Sequence, residues 1–237
     1  MYCKHPNLPQ PESPRQRLWR YLPFEQLLQL IHDSSLYFPN ISRMRDKWEG
    51  LLTERTREHF FKVEYSKYGN SSAAIGSIKQ YEEFKDAFYV NCWHMNVHES
   101  YLMWKVYADR ECAIQTTFER ITTAFHETPA EIHGGMITYI DFERDSMPIG
   151  NVFTPVSHKD LPYQDEKEFR LLFWKSALQN QSILVPDNGI SIPIDLGLLI
   201  ENIFINPTSV QNFSGPLQEA MARKSLHFGV RNSRIKE

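Results

Sequence analysis

The chain predicts an α+β fold: a single domain with a mixed or antiparallel central sheet flanked by helices. Three observations carry that expectation. Helical and strand-like patterns alternate unevenly, without the regular strand–helix repeat of a doubly wound sheet. Several strand-like runs are adjacent in sequence, which suits antiparallel pairing. With 237 residues, 41% of them hydrophobic, the chain can bury one substantial core.

Taken in order, residues 1–16 carry Pro6, Pro9, Pro11 and Pro14 and are expected to form an extended, flexible leader. The remainder, 17–237, reads as the single α+β domain. Leu18–Leu22 has the aromatic and aliphatic content of a short strand. Pro23 then stands where a helix begins, and Phe24, Leu27, Leu28 and Ile31 recur at helical spacing. Leu36–Phe38 predicts a second strand, and Asn40 or Ser42 is expected to cap a helix running through Met44, Trp48 and Leu51. Residues 66–80, SKYGNSSAAIGSIKQ, are small and polar and predict a loop or lid.

The second half begins with a buried strand, Phe88–Trp93, and a helix over Glu99–Tyr107 with an apolar stripe. Cys112–Thr117 predicts a strand whose end, Thr116 or Thr117, caps a short helix. Gly134-Gly135 signals a turn before a strand at Met136–Ile140. An irregular stretch over 143–160 leads to Tyr163–Trp174, YQDEKEFRLLFW, read as a strand with Phe169, Leu171 and Phe173 on one face and Glu166, Glu168 and Arg170 on the other. Short strands are expected at 182–185 and 190–194, then a helical turn capped by Asp195 and a strand at Ile203–Ile205. A last helix is expected from Thr208 or Ser209 to about Lys224, before an extended tail.

Composition excludes several classes. The net charge is -3, without the basic excess of an obvious nucleic-acid binder. Three cysteines with no CxxC pair predict reduced thiols in a cytoplasmic protein rather than a disulfide framework or a zinc knuckle. The N-terminus lacks the apolar stretch of a secretory signal, and no long apolar run predicts a membrane span. His94 and His98 stand four apart, but no third ligand follows at metal spacing, so no metal is expected.

The blocks LWRYLPFEQLLQLIHDSSLYFPNISRMRDKWEG, CWHMNVHESYLMWKVYAD, KDLPYQDEKEFRLLFW and IFINPTSV…FGVRNSRI resemble the bacterial domain of unknown function 2971 family over roughly 17–235. Where that family usually has an Asn-Asp-Pro-Phe-Glu-Gly turn, this chain has Met44–Gly50, matching at Asp46 and Glu49-Gly50. More remotely, the outline resembles ADP-ribosyltransferase-like folds. That resemblance implies an NAD-using enzyme, of the kind found among bacterial toxins and phage-defence effectors. It implies that Glu168 is catalytic, placing a carboxylate beside developing positive charge, and that Glu166 orients the acceptor. Arg20 and Tyr21 would hold the dinucleotide, Arg through its bidentate fork, and Trp93 or Tyr101 would stack on nicotinamide. Arg170 belongs to the same acidic-then-Arg strand and is counted with the cofactor-binding residues. Such transferases often show Ser-Thr-Ser on the middle strand, where this chain has Asn91-Cys92-Trp93-His94.

The residues by themselves leave plainer readings open. Alternating charges on a half-buried strand also suit a solvated sheet face with a cross-strand ion pair worth ~0.2–1 kcal/mol. His94 is a candidate general base or substrate contact at a strand end, or a structural histidine. Cys92 and His94 share a strand face but lie ~7 Å apart, too far for a direct nucleophile–base bond. The alternative function is a non-enzymatic module for a protein or nucleic-acid partner, touched by Arg15, Arg17, Arg223, Lys224, Arg231 and Arg234. A cleft joining Glu168 and Arg20 favours the enzyme, and a wide positive stripe favours the module.

Overall fold

The computed structural model describes residues 1–44, 46, 48–107, 111–175, 186–206 and 213–235. In chain order the strands are Tyr2–Cys3 (β1), Arg17–Leu22 (β2), Ser35–Pro39 (β3), Phe88–Met95 (β4), Cys112–Thr117 (β5), Ile132–Met136 (β6), Thr138–Ile140 (β7), His158–Asp160 (β8), Glu168–Trp174 (β9), Gly189–Pro193 (β10), Asn202–Ile205 (β11) and Gly229–Asn232 (β12). The helices are Phe24–Asp33 (α1), Glu54–Tyr68 (α2), Ser71–Glu83 (α3), Tyr101–Val106 (α4), Phe118–Thr123 (α5), Leu196–Leu199 (α6) and Ser214–Arg223 (α7). Eight strands form a mixed central sheet in the order β1-β6-β9-β4-β2-β5-β11-β12, flanked by helices in a single α+β domain, as expected. Its inner pairings are antiparallel, while β1/β6 and β11/β12 are parallel.

One irregularity in this sheet positions the site. β2 pairs with β5 along six residues, but with β4 only at Leu18–Met95 and Trp19–His94. Beyond those two pairs the sheet splits into two four-stranded halves. The edge of β4 that β2 abandons is met instead by the β3 layer. Asn40 bridges Tyr89, and Asn91 Nδ2 donates to the Tyr37 carbonyl. These contacts hold the β3 layer against that edge, and within the split the Cys92 carbonyl is met by the Arg20 side chain rather than by a β2 peptide group.

The main core lies on one face, where α1, α5, α6 and α7 bring Leu27, Ile31, Ile121, Leu199 and Leu217 against Leu18, Trp93, Phe169 and Phe173. The opposite face carries two smaller apolar groups, one around Phe88, Phe153 and Leu172 and one around Trp19, Tyr21, Met103 and Trp104. Among the described residues no helix is long and apolar enough to cross a membrane.

Several expectations need correction. Residues 66–80 are not a loop: they span the end of α2, a turn and most of α3. Gly69 takes the left-handed conformation at φ 62° and Asn70 Oδ1 accepts from Ser72 and Ala73 N–H, one helix stopping and the next starting. The leader is packed rather than loose. Tyr2–Cys3 pairs with β6, Leu8 is buried, and Pro9 O accepts from Met136 N at 2.7 Å. Gly134 and Gly135 lie inside β6, not in a turn before it, because the leader crosses so closely that a Cβ on Gly135 would sit 2.8 Å from Leu8 Cβ. The helix expected after Asn40 is reduced to the 3-10 turn Ile41–Arg43. The stretch from Tyr163 becomes a strand only at Glu168. Leu161–Glu166 is a 3-10 turn ended by Lys167 at φ 41°. The expected strand at 182–185 and the expected helix start at Thr208 or Ser209 lie outside the described residues.

Candidate functional site

Register decides which polar groups meet. β9 and β4 align His94 with Glu168 and Cys92 with Arg170, and strand alternation sends all four to the face away from the main core. Arg170 is 0% exposed and Glu168 4%, so the charged row is not a solvated sheet face. Arg170 Nε donates to Glu168 Oε1 at 2.6 Å and Nη2 to Oε2 at 3.0 Å. From its other edge Arg170 grips Glu49, with Nη1–Oε2 at 2.9 Å and Nη2–Oε1 at 3.1 Å. Lys159 Nζ lies 2.5 Å from Glu166 Oε2, 3.2 Å from Glu49 Oε1 and 3.6 Å from Glu168 Oε2. Glu49, Glu166 and Glu168 against Lys159 and Arg170 leave one net negative charge. Burial pushes the Glu168 carboxyl up, but the charge and hydrogen bonds of Arg170, with Lys159, outweigh it and hold it at about 2. For the half-buried Glu166, burial prevails over Lys159 and the carboxyl is raised.

A cavity of about 220 Å³ opens above this cluster, in the split between β2 and β4. Arg20, Tyr21, His94, Glu166 and Glu168 all line it, together with Tyr107. Arg20 stands at the split itself, where Nη1 donates to the Cys92 carbonyl at 2.9 Å. Tyr21 packs edge-on against Trp104, with ring centroids 4.8 Å apart. Its hydroxyl oxygen accepts from Ser100 N, the cap of α4. A second cavity of about 300 Å³ on the α1 side shares Arg20 and Gln26 with the first, so the two adjoin at the split.

His94 has a defined polarity. Its Nδ1 lies 2.6 Å from the Glu166 carbonyl, an acceptor, so Nδ1 carries the proton. Nε2 then presents a lone pair, and it is buried without a hydrogen-bond partner. Burial lowers the pKa of this imidazole and keeps it neutral. An acceptor held dry and unpartnered on a cavity wall is suited to take a proton or a hydrogen bond from a bound molecule. Cys92 offers no comparable nucleophile. Burial and the neighbouring Glu168 carboxylate, its hydrogen-bond partner, push the thiol well up. Burial and nearby carboxylates likewise push Tyr107 up to about 12, so its hydroxyl stays protonated.

Three residues assigned to cofactor binding are placed differently. Arg170 lies beneath the cavity, consumed by Glu168, Glu49 and the Val156 carbonyl. Trp93 borders the cavity, but its indole packs in the main core and donates to Asn91 Oδ1. Tyr101 is 56% exposed and does not line the cavity. Sequence reasoning missed Lys159, although it opens the block KDLPYQDEKEFRLLFW that carries the family resemblance. It also missed the role of Glu49, although the matching Glu49-Gly50 turn marked the position. That turn, with Gly50 at φ 74°, carries the Glu49 carboxylate that Arg170 grips.

Compared with family models, curated proteins and solved structures, the chain matches none.

Proposed function

We propose that the split between β2 and β4 binds NAD and that the protein is an ADP-ribosyltransferase-like enzyme. The observation that carries this reading is convergence: Arg20 and Tyr21 from β2, His94 from β4, and Glu166 and Glu168 around the start of β9 line one cavity. Charge is distributed to match. The ionic cluster carries one net negative charge once the half-buried Glu166 is counted, while Arg20 lies at the opening toward the adjoining cavity. A dinucleotide with a cationic nicotinamide ring at one end and phosphates in the middle complements that gradient.

The roles follow from the geometry. Bound NAD supplies a glycosidic bond whose cleavage develops positive charge on the ribose. Glu168, locked by Arg170, is a fixed anion that needs no reorganisation as that charge grows. Glu166 is less buried, and of the three carboxylates in the cluster it is the one best able to reach a substrate hydroxyl. His94 Nε2 accepts the proton of the attacking group. Arg20 receives a phosphate through the fork geometry of its guanidinium. The membership suggested by resemblance, the bacterial family 2971, is part of the same proposal, as is a cytoplasmic setting in which NAD is abundant.

The test is nicotinamide release from labelled NAD, with and without cell lysate, by the intact chain and by Glu168→Gln, Glu166→Gln and His94→Gln. Release by the parent that drops in Glu166→Gln and His94→Gln, both folded, supports the reading even if Glu168→Gln unfolds. No release, together with no NAD-dependent rise in melting temperature, overturns it.

A further inference from the structure

A larger cavity lies elsewhere on the same sheet face, and nothing in the proposed reaction uses it. Its volume is about 590 Å³, inside the ~300–1,000 Å³ span of small-molecule sites. The floor comes from β2, β5 and β11, as Trp19, Gln115 and Asn202. Gln115 and Asn202 are buried and joined by a bond from Asn202 Nδ2 to Gln115 Oε1 at 2.7 Å. One wall is the tail after β12. Glu99 fastens that wall by accepting from Ser233 Oγ and from Arg234 N, while Ile235 packs against the group containing Trp19 and Phe204.

Three arginines from the two ends of the chain meet here: Arg17 at the start of β2, Arg231 on β12 and Arg234 in the tail. No ion pair links any of the three to a carboxylate among the described residues. Arg17 Nη1 donates to the Val97 carbonyl, and Glu99 is occupied by Trp104, Ser233 and the Arg234 main chain. Glu201, also on the wall, has Oε2 buried without a partner. Guanidinium groups without carboxylate partners suit phosphate. The Gln115 Nε2 donor suits an acceptor of a base or sugar, and the Asn202 Oδ1 and the unpartnered Glu201 oxygen suit its N–H and O–H donors.

We propose that this cavity is a second binding site, for a phosphate-bearing ligand of nucleotide size, either a free nucleotide or the end of a nucleic-acid strand. The proposal stands independently of the reading of the cleft, from which Trp19 separates it by lining both cavities.

Isothermal titration calorimetry on the full chain tests it with ADP and with a 5′-phosphorylated oligonucleotide as probes. The parent is compared with the double variant Arg231→Gln/Arg234→Gln and with Arg20→Gln, which reports on the cleft. Saturable binding is expected, weaker as salt rises. It should fall about tenfold or more in the double variant, the loss of at least one charge-assisted bond, and persist in Arg20→Gln. Tighter binding of the oligonucleotide than of ADP assigns a strand end as the source, and the reverse assigns a free nucleotide. Absence of saturable binding overturns the proposal. So does binding that survives in the double variant, whether or not Arg20→Gln abolishes it. Melting temperatures of all variants establish that each is folded, and Arg17→Gln stands in if the double variant is not.

Discussion

At the scale of residues, the two carboxylates of the late strand differ because their surroundings differ. Glu168 is clamped through both oxygens by Arg170, whereas Glu166 reaches Lys159 from the end of a 3-10 turn and is only half-buried. Removing one member of a buried ionic cluster leaves its partner uncompensated, typically at ~3–5 kcal/mol. Glu168→Gln is therefore expected to lower stability by about that much, and Glu166→Gln by ~1 kcal/mol or less. Urea denaturation of both variants checks this, and equal losses would contradict the assignment of the clamp. His94 gives a second prediction at this scale. Its folded pKa lies below the ordinary 6.5, so Nε2 is available at neutral pH and is lost as pH falls through that depressed value. The proposed NAD cleavage should decline on the acid side of its pH profile, and the limb assigned to His94 should vanish in His94→Gln. A limb that persists unchanged in the variant would remove His94 from the chemistry.

At the scale of elements, two glycines separate conformational need from crowding. Gly69 ends α2 at φ 62° with no atom within 4 Å of an added Cβ. Gly69→Ala should cost only the left-handed backbone, ~1–2 kcal/mol. Gly135 lies in an ordinary strand conformation, but its Cβ would meet Leu8 Cβ at 2.8 Å and Pro9 O at 3.1 Å. Gly135→Ala should therefore displace the leader from β6 and cost ~1–3 kcal/mol through overpacking. Proteolysis within residues 1–16 reads the difference: faster cleavage is expected in Gly135→Ala and unchanged cleavage in Gly69→Ala. The sequence reading missed the helical hairpin, although Gly69-Asn70 is a stop followed by a cap. Only Thr56, Ala74 and Tyr81 of the two helices are buried, so no broad apolar stripe marks them in the sequence.

At the scale of the whole molecule, titration sets the limits of stability. Burial lowers the folded pKa of His94, His133 and His158 below the ordinary 6.5. The unfolded chain binds more protons in that window, so this stability is complete above about pH 6.5 and is lost as pH falls through the lower folded values. Glu168, held at about 2 against an ordinary 4.5, withdraws its contribution further down, between those two values. Buried phenols act in the opposite sense. Tyr21 and Tyr139 are raised from 10.0, so their share is present below about pH 10 and lost as pH rises through the folded values. The raised Cys92 thiol begins to withdraw its share above its ordinary 9.0, so melting temperature is expected to form a plateau between roughly pH 6.5 and 9 and to fall on both sides. A maximum near pH 5 would contradict the burial of the three histidines.

The sequence alone determined the fold class, the limits of α1 and the cap at Asp195, and it narrowed two further caps to Asn40 or Ser42 and to Thr116 or Thr117, because periodicity and capping are local properties of neighbouring residues. It also singled out Arg20, Tyr21, His94, Glu166 and Glu168, which the fold brings to one cavity. Only the tertiary structure decided that Arg170 is a buried clamp and that Glu49 and Lys159 complete its cluster. It alone placed Trp93 in the core and split the sheet after two β2/β4 pairs. Those outcomes depend on register and burial, which arise from contacts between segments many residues apart. A charge pattern on a strand looks the same whether its face meets water or a guanidinium.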